Sequence, residues 1–137
     1  MIRTAGNQGF ALLLAAKELR FQRRKKRLRR PVKAMVSRMD IANSVNGVPI
    51  RLTYERWYHI VENHDEMASY FHDVLEAIEG PEWVVRGNRG ALKAVRSLGK
   101  RKWLVVLYRE VSRTDGFVIT AYLLDTRPKG KIAWRRP

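Results

Sequence analysis

The sequence predicts an α+β domain in which two N-terminal helices pack on a four-stranded antiparallel β-meander. Three observations predict it. Apolar residues recur at helical spacing between Thr53 and Ile78. After Pro81 they change to short β-rich runs divided by turn residues. Helices grouped ahead of strands argue for helices layered on one face of an antiparallel sheet.

The elements follow in order. A polar turn, Asn46-Gly47-Val48-Pro49, leads into an extended stub, Ile50-Arg51-Leu52. Thr53 is a good N-cap, since its hydroxyl can accept from a free first-turn N–H, and Glu55 puts negative charge where the helix dipole favours it. Trp57, Ile60 and Val61 then mark one face of a helix over Thr53 to His64. A second helix is expected over about Met67 to Ile78, with Phe71, Val74, Leu75 and Ile78 in the same pattern, ended by Gly80-Pro81. Strands are predicted at Trp83–Arg86, at Leu92–Arg96 and at Trp103–Tyr108, the last apolar on both parities and so central. Asp115-Gly116 signals a hairpin turn before a returning strand, Phe117 to Leu124. Arg127-Pro128-Lys129-Gly130 reads as a further turn before a short edge at Ile132–Trp134. The uncovered face of the sheet is the expected working surface.

Charge is sorted along the chain. Thr53 to Val85 holds eight acids against one base, Arg56, whereas Arg86 to Arg109 holds eight bases and no acid. A positive block within a folded domain attracts polyanions, through Coulomb attraction and counterion release. Arg86, Arg89, Arg96, Lys100, Arg101 and Lys102 are the candidate nucleic-acid contacts. The formal charge of +15 is dominated by the first forty residues, with twelve bases and two acids, including the dense run Arg20 to Arg30. Residues 1–40 are read as a basic extension, disordered or partly helical, and 41–137 as the folded domain. There is no cysteine, which excludes disulfides and thiolate zinc sites and fits a reducing, cytoplasmic compartment. The apolar run Phe10 to Ala16 is far too short to span a bilayer, so no membrane partner is expected.

The candidate chemistry lies in a few side chains. Helical rotation puts His64 within about 20° of Trp57, on the buried face and in the last turn, where a positive imidazolium suited to a general acid is favoured. His59 falls on the opposite, polar face of the same helix. Arg109 ends the central strand, and Thr120 and Tyr122 are two apart and so share a face of its neighbour. Imidazole, phenol, hydroxyl and guanidinium together could move protons and stabilise a pentacovalent phosphorane without a metal. The carboxylates are concentrated on the helices, and His59 and His64 are five apart rather than four, so neither a metal site nor any cofactor is expected. No Gly-rich phosphate loop and no serine nucleophile elbow is present.

Four segments carry a family resemblance: Arg51-Leu-Thr-Tyr-Glu-Arg-Trp-Tyr-His-Ile-Val-Glu-Asn-His-Asp-Glu66, Val74-Leu-Glu-Ala-Ile-Glu-Gly-Pro81, Leu104-Val-Val-Leu-Tyr-Arg109 and Asp115-Gly-Phe-Val-Ile-Thr-Ala-Tyr122. Over about Ile50 to Trp134 the chain resembles the phage-associated nuclease domains of the barnase, EndoU, colicin and RelE (BECR) superfamily. The resemblance implies N-terminal helices before a four-stranded antiparallel sheet, and metal-independent, often toxin-like endoribonuclease activity acting on RNA. An inhibitor protein is a further implied partner. It marks His59 and His64 as acid and base, Arg109 for charge stabilisation, and Thr120 and Tyr122 as substrate-facing. The alternatives are a non-catalytic RNA- or DNA-binding module and a protein-interaction domain that uses its acidic helices.

Overall fold

In the computed structural model, described here for Arg38 to Pro137, seven strands form one mixed sheet. The basic run Arg20 to Arg30, like the rest of the extension up to residue 37, lies outside the described residues. In chain order the elements are β1 (Met39–Asn43), β2 (Pro49–Thr53), α1 (Tyr54–Asn63), a 3₁₀ turn (Asp65–Ser69), α2 (Phe71–Glu79), β3 (Trp83–Arg86), β4 (Leu92–Ser97), β5 (Trp103–Ser112), β6 (Asp115–Leu124) and β7 (Ile132–Arg135). Across the sheet they run β1-β2-β6-β5-β4-β3-β7. All neighbours are antiparallel except β2 and β6, which pair in parallel through Ile50 with Gly116 and Arg51 with Phe117.

This corrects the predicted fold class. The antiparallel run β3-β4-β5-β6 forms, but it is the middle of a seven-stranded mixed sheet and not the whole of it. The stretch read as a turn and a stub is a β1–β2 hairpin, so strands precede the helices. Pairing of β2 with β6 joins residues more than sixty apart, and no local pattern announces such a contact.

Local signals explain the helices. The Thr53 side chain accepts a hydrogen bond from the Arg56 N–H at 3.0 Å and caps α1, which buries Ile60 and Val61. The second predicted helix begins later than expected, because Asp65–Ser69 tightens into a 3₁₀ turn and Tyr70 leaves helical geometry before Phe71 starts α2. The Phe71 ring packs edge-on against Trp57 at 5.2 Å and Tyr54 at 5.8 Å, which ties α2 to α1.

The core lies between the helices and one sheet face. Ile50, Leu52, Ala94, Leu104, Val106, Tyr108, Val118 and Ala121 meet Ile60, Met67, Val74, Ala77 and Ile78 there. The β1–β2 turn is fastened to the same side of β5. Ser44 Oγ donates to Glu110 at 2.6 Å, and Asn46 Nδ2 reaches both Glu110 carboxylate oxygens at 3.1 Å. Tyr108 is fully buried, its hydroxyl without a hydrogen-bond partner among the described residues. Burial, and next the charge of Glu110, push its pKa well above the usual phenol value.

The hairpin turn between β5 and β6 is Arg113-Thr114, two residues earlier than the Asp115-Gly116 signal suggested. Asp115 is drawn into β6 by a bidentate ion pair with Arg51 on β2, at 2.8 and 3.2 Å. Gly116 serves close approach rather than a turn. A Cβ there would lie 2.5 Å from Ile50 Cδ1 and 2.6 Å from the Arg109 carbonyl oxygen.

Candidate functional site

Strand register divides the side chains between the two faces. Directly paired residues share a face, so the side away from the helices carries Trp83, Val95, Val105 and Tyr122 in one row and Val85, Lys93, Leu107 and Thr120 in the next. Arg109, Phe117 and Arg51 make a third row, toward the β5–β6 turn.

Only part of this face is open. Asp125 to Lys131 must carry the chain from β6 past β5, β4 and β3 to β7. At about 4.8 Å between neighbouring strands that is roughly 19 Å sideways, so seven residues must run nearly extended across the sheet. Gly130 lies directly on Val85, where a Cβ would collide with the valine side chain, and the Arg127 guanidinium stands 4.8 Å over the Trp83 ring. The stretch Arg127–Gly130, read as a turn, is therefore part of a strap. It covers the second apolar cluster, Trp83, Val85 and Val95 with Trp103 against it. The expected working surface shrinks to the half of the face formed by β6, β5 and the start of β4.

At the β6 side of that surface, His64 closes the last turn of α1, its N–H donating to the Ile60 carbonyl at 2.8 Å. Its ring centroid is 6.0 Å from that of Tyr122. Both side chains are half-buried. Nδ1 of His64 faces Glu66 Oε2 at 3.8 Å, which leaves Nε2 as the other polar atom of the ring. Thr120 is the next residue on this face along β6, about 7 Å from Tyr122 at the rise of an extended strand.

The remaining predicted site residues are placed otherwise. Arg109 shares the face but pairs with Phe117, four residues along β5 from Val105, the partner of Tyr122; that is about 13 Å along the strand. Its guanidinium donates to the Arg89 carbonyl, which fixes it at the β3–β4 turn. His59 is exposed on α1, where its Nδ1 is 3.4 Å from Glu62. The structure thus joins His64 with Tyr122 and Thr120, sets Arg109 at the far end of the same face, and keeps His59 apart.

The six bases proposed as nucleic-acid contacts do not form one face. Arg86 and Arg89 lie toward the β3–β4 turn, and Lys100 and Arg101 lie in the β4–β5 loop at the opposite end of the strands. Arg96 points to the helix side and caps α2, donating to the Gly80 carbonyl at 3.1 Å; Arg136 donates to the same oxygen at 2.7 Å. Lys102 bonds the Tyr70 hydroxyl at 3.3 Å. A block that is contiguous in sequence is split because a hairpin sends its two turns to opposite ends of the sheet.

Three residues on or beside the open half-face were missed. Lys93 lies between Val85 and Leu107, and among the described residues neither it nor Arg109 has an acidic partner. The Arg51 guanidinium is 5.9 Å from the Phe117 ring centroid, and its ion pair is reflected in both partners: the hydrogen bond between them raises Arg51 and holds Asp115 below the usual carboxylate range. Phe117 could not be found by alternation, which puts it on the face opposite Thr120 and Tyr122. An irregularity between Val118 and Thr120, with Ile119 as the extra residue, returns it to theirs.

Among the described residues no group of three or more histidine, aspartate or glutamate side chains could hold a metal ion, and no helix is long and apolar enough to cross a membrane. Set against known protein families, curated proteins and solved structures, the chain matches none.

Proposed function

We propose that this domain is a metal-independent endoribonuclease whose reacting groups are His64 and Tyr122. The observation that carries the proposal is their adjacency at the rim of a basic half-face, with ring centroids 6.0 Å apart and both side chains reachable from solvent. RNA carries its own nucleophile, so cleavage requires only a base, an acid and charge stabilisation. With Nδ1 turned to Glu66, His64 Nε2 acts as the base, not as the acid that its place at the helix end suggested, and removes the proton as the 2′-oxygen attacks the adjacent phosphorus. The bond from phosphorus to the 5′-oxygen breaks, and that oxygen takes the Tyr122 phenolic proton. The products are a 2′,3′-cyclic phosphate and a free 5′-hydroxyl. The BECR resemblance in the segments bearing His64, Arg109 and Tyr122 supports the same reaction, as analogy. The mixed sheet is not the simple meander that the resemblance implied, so the proposal rests on the site.

The separation of about 13 Å along the strand between Arg109 and the Tyr122 row favours a second reading, an RNA-binding module without catalysis, because a guanidinium so placed can hold a neighbouring phosphate more readily than the reacting one. Incubation of the purified protein with mixed cellular RNA in excess EDTA decides between them. Fragments ending in 2′,3′-cyclic phosphate are expected; RNA that is bound but intact would put the binding module first.

A further inference from the structure

We infer that the open half-face is a platform for single-stranded RNA, on which bases stack against Phe117 and Tyr122 while the backbone follows Lys93 and Arg109. The inference rests on the RNA reading above and specifies its substrate. Phe117 and Tyr122 lie on the same strand and, because of the irregularity at Ile119, on the same face, with Thr120 between them and Leu107 beside Thr120. All four are half-buried, so part of each surface faces solvent. The Arg51 guanidinium lies over the Phe117 ring and is itself held by Asp115.

Charge complementarity points to a polyanion. The rows of β6, β5 and β4 on this face carry Lys93 and Arg109, and their one acid, Asp115, is already neutralised by Arg51. Aromatic rings interleaved with basic side chains that have no acidic partner among the described residues suit a nucleic-acid strand whose own bases are free to stack, and such contacts tolerate any base because each has a π-face. A duplex hides those faces inside its helix and is read instead through its backbone and 2′-hydroxyls. The strap Asp125–Lys131 on one side and the end of α1 at His64 on the other bound the platform, so a strand lying along β6 passes the reacting groups.

The test is fluorescence anisotropy with the full chain, using a 2′-O-methyl oligonucleotide that cannot undergo 2′-hydroxyl attack, as a single strand and as a duplex, over a range of salt. The basic N-terminal segment is common to every variant, so differences among variants report on the face. The single strand should bind more tightly than the duplex. Phe117→Leu should weaken single-strand binding about tenfold without changing its salt dependence, as loss of one stacked base requires. Lys93→Gln should reduce the slope of log K against log salt by about 0.7. Phe117→Tyr keeps the ring and should keep the affinity, which separates stacking from damage to the fold. Equal affinity for both strand forms, or single-strand binding unmoved by Phe117→Leu, would overturn the platform. Cleavage that persists with Phe117→Leu neutral would remove the platform alone, whereas ring-dependent binding without any cleavage by the wild type would retain the platform and remove the catalytic proposal.

Discussion

The aromatic ring of Tyr122 stands 6.0 Å from the imidazole of His64, although one comes from the sheet face turned away from the helices and the other ends a helix. The meeting is possible because β2 pairs with only the first part of β6, through Gly116 and Phe117. Beyond that point the end of α1 comes alongside β6 and brings His64 to the rim.

If this pair is the reacting centre, Tyr122→Phe should lower kcat by about a hundredfold, the low end of the range for one acid–base group. Affinity for a non-cleavable strand should stay near wild type, since the ring remains. Single-turnover kinetics beside a binding curve would check both. A parallel loss of affinity would make Tyr122 a binding residue instead.

Arg96 tests the division of the basic block. Its guanidinium caps α2 through the Gly80 carbonyl, so Arg96→Ala should destabilise the domain by about 1 kcal/mol. Thermal unfolding should show the loss, while affinity for RNA changes little. A large drop in affinity at unchanged stability would return Arg96 to the nucleic-acid interface where its place in the sequence had put it.

Gly130 tests the strap. Its φ of +141° is one that side chains disfavour, and a Cβ there would meet Val85. Gly130→Ala should therefore cost about 1–3 kcal/mol, seen as a lower denaturant midpoint at unchanged m. A neutral outcome would mean that Asp125–Lys131 does not lie against the sheet.

The Arg51–Asp115 pair sets a pH dependence. Asp115 is held below the usual carboxylate range, chiefly by the hydrogen bond from Arg51. A depressed carboxylate contributes stability that is fully present above its unfolded pKa and is lost as pH falls through its folded one. Asp115→Asn should flatten the acid side of the stability profile and leave the slope between about pH 6 and 8 unchanged. Unfolding midpoints measured across pH for both proteins would show it.

The parts of the fold legible in the sequence were those written in local patterns. Thr53 marked the start of α1, Gly80 the end of α2, and the apolar run from Trp103 a central strand, although its second face is covered only in part and opens at Leu107. What escaped was non-local. The Ile50 and Arg51 stub gave no hint of a parallel partner at Gly116 and Phe117. Pro128 and Gly130 carried turn composition but belong to a segment that crosses three strands. For the site, two-residue spacing correctly placed Thr120 and Tyr122 together, while the irregularity at Ile119 concealed Phe117 from the same reasoning. Helical rotation separated His59 from His64, and the structure keeps them apart, with His59 beside Glu62 and His64 beside Tyr122.

The most direct test of the central claim measures cleavage and binding side by side for wild type, His64→Gln and His59→Gln in EDTA, the binding with a 2′-O-methyl strand. The account predicts that His64→Gln loses cleavage by a factor of about 10² or more while binding as wild type does, and that His59→Gln remains active. Undiminished cleavage by His64→Gln, or loss confined to His59→Gln, would contradict it.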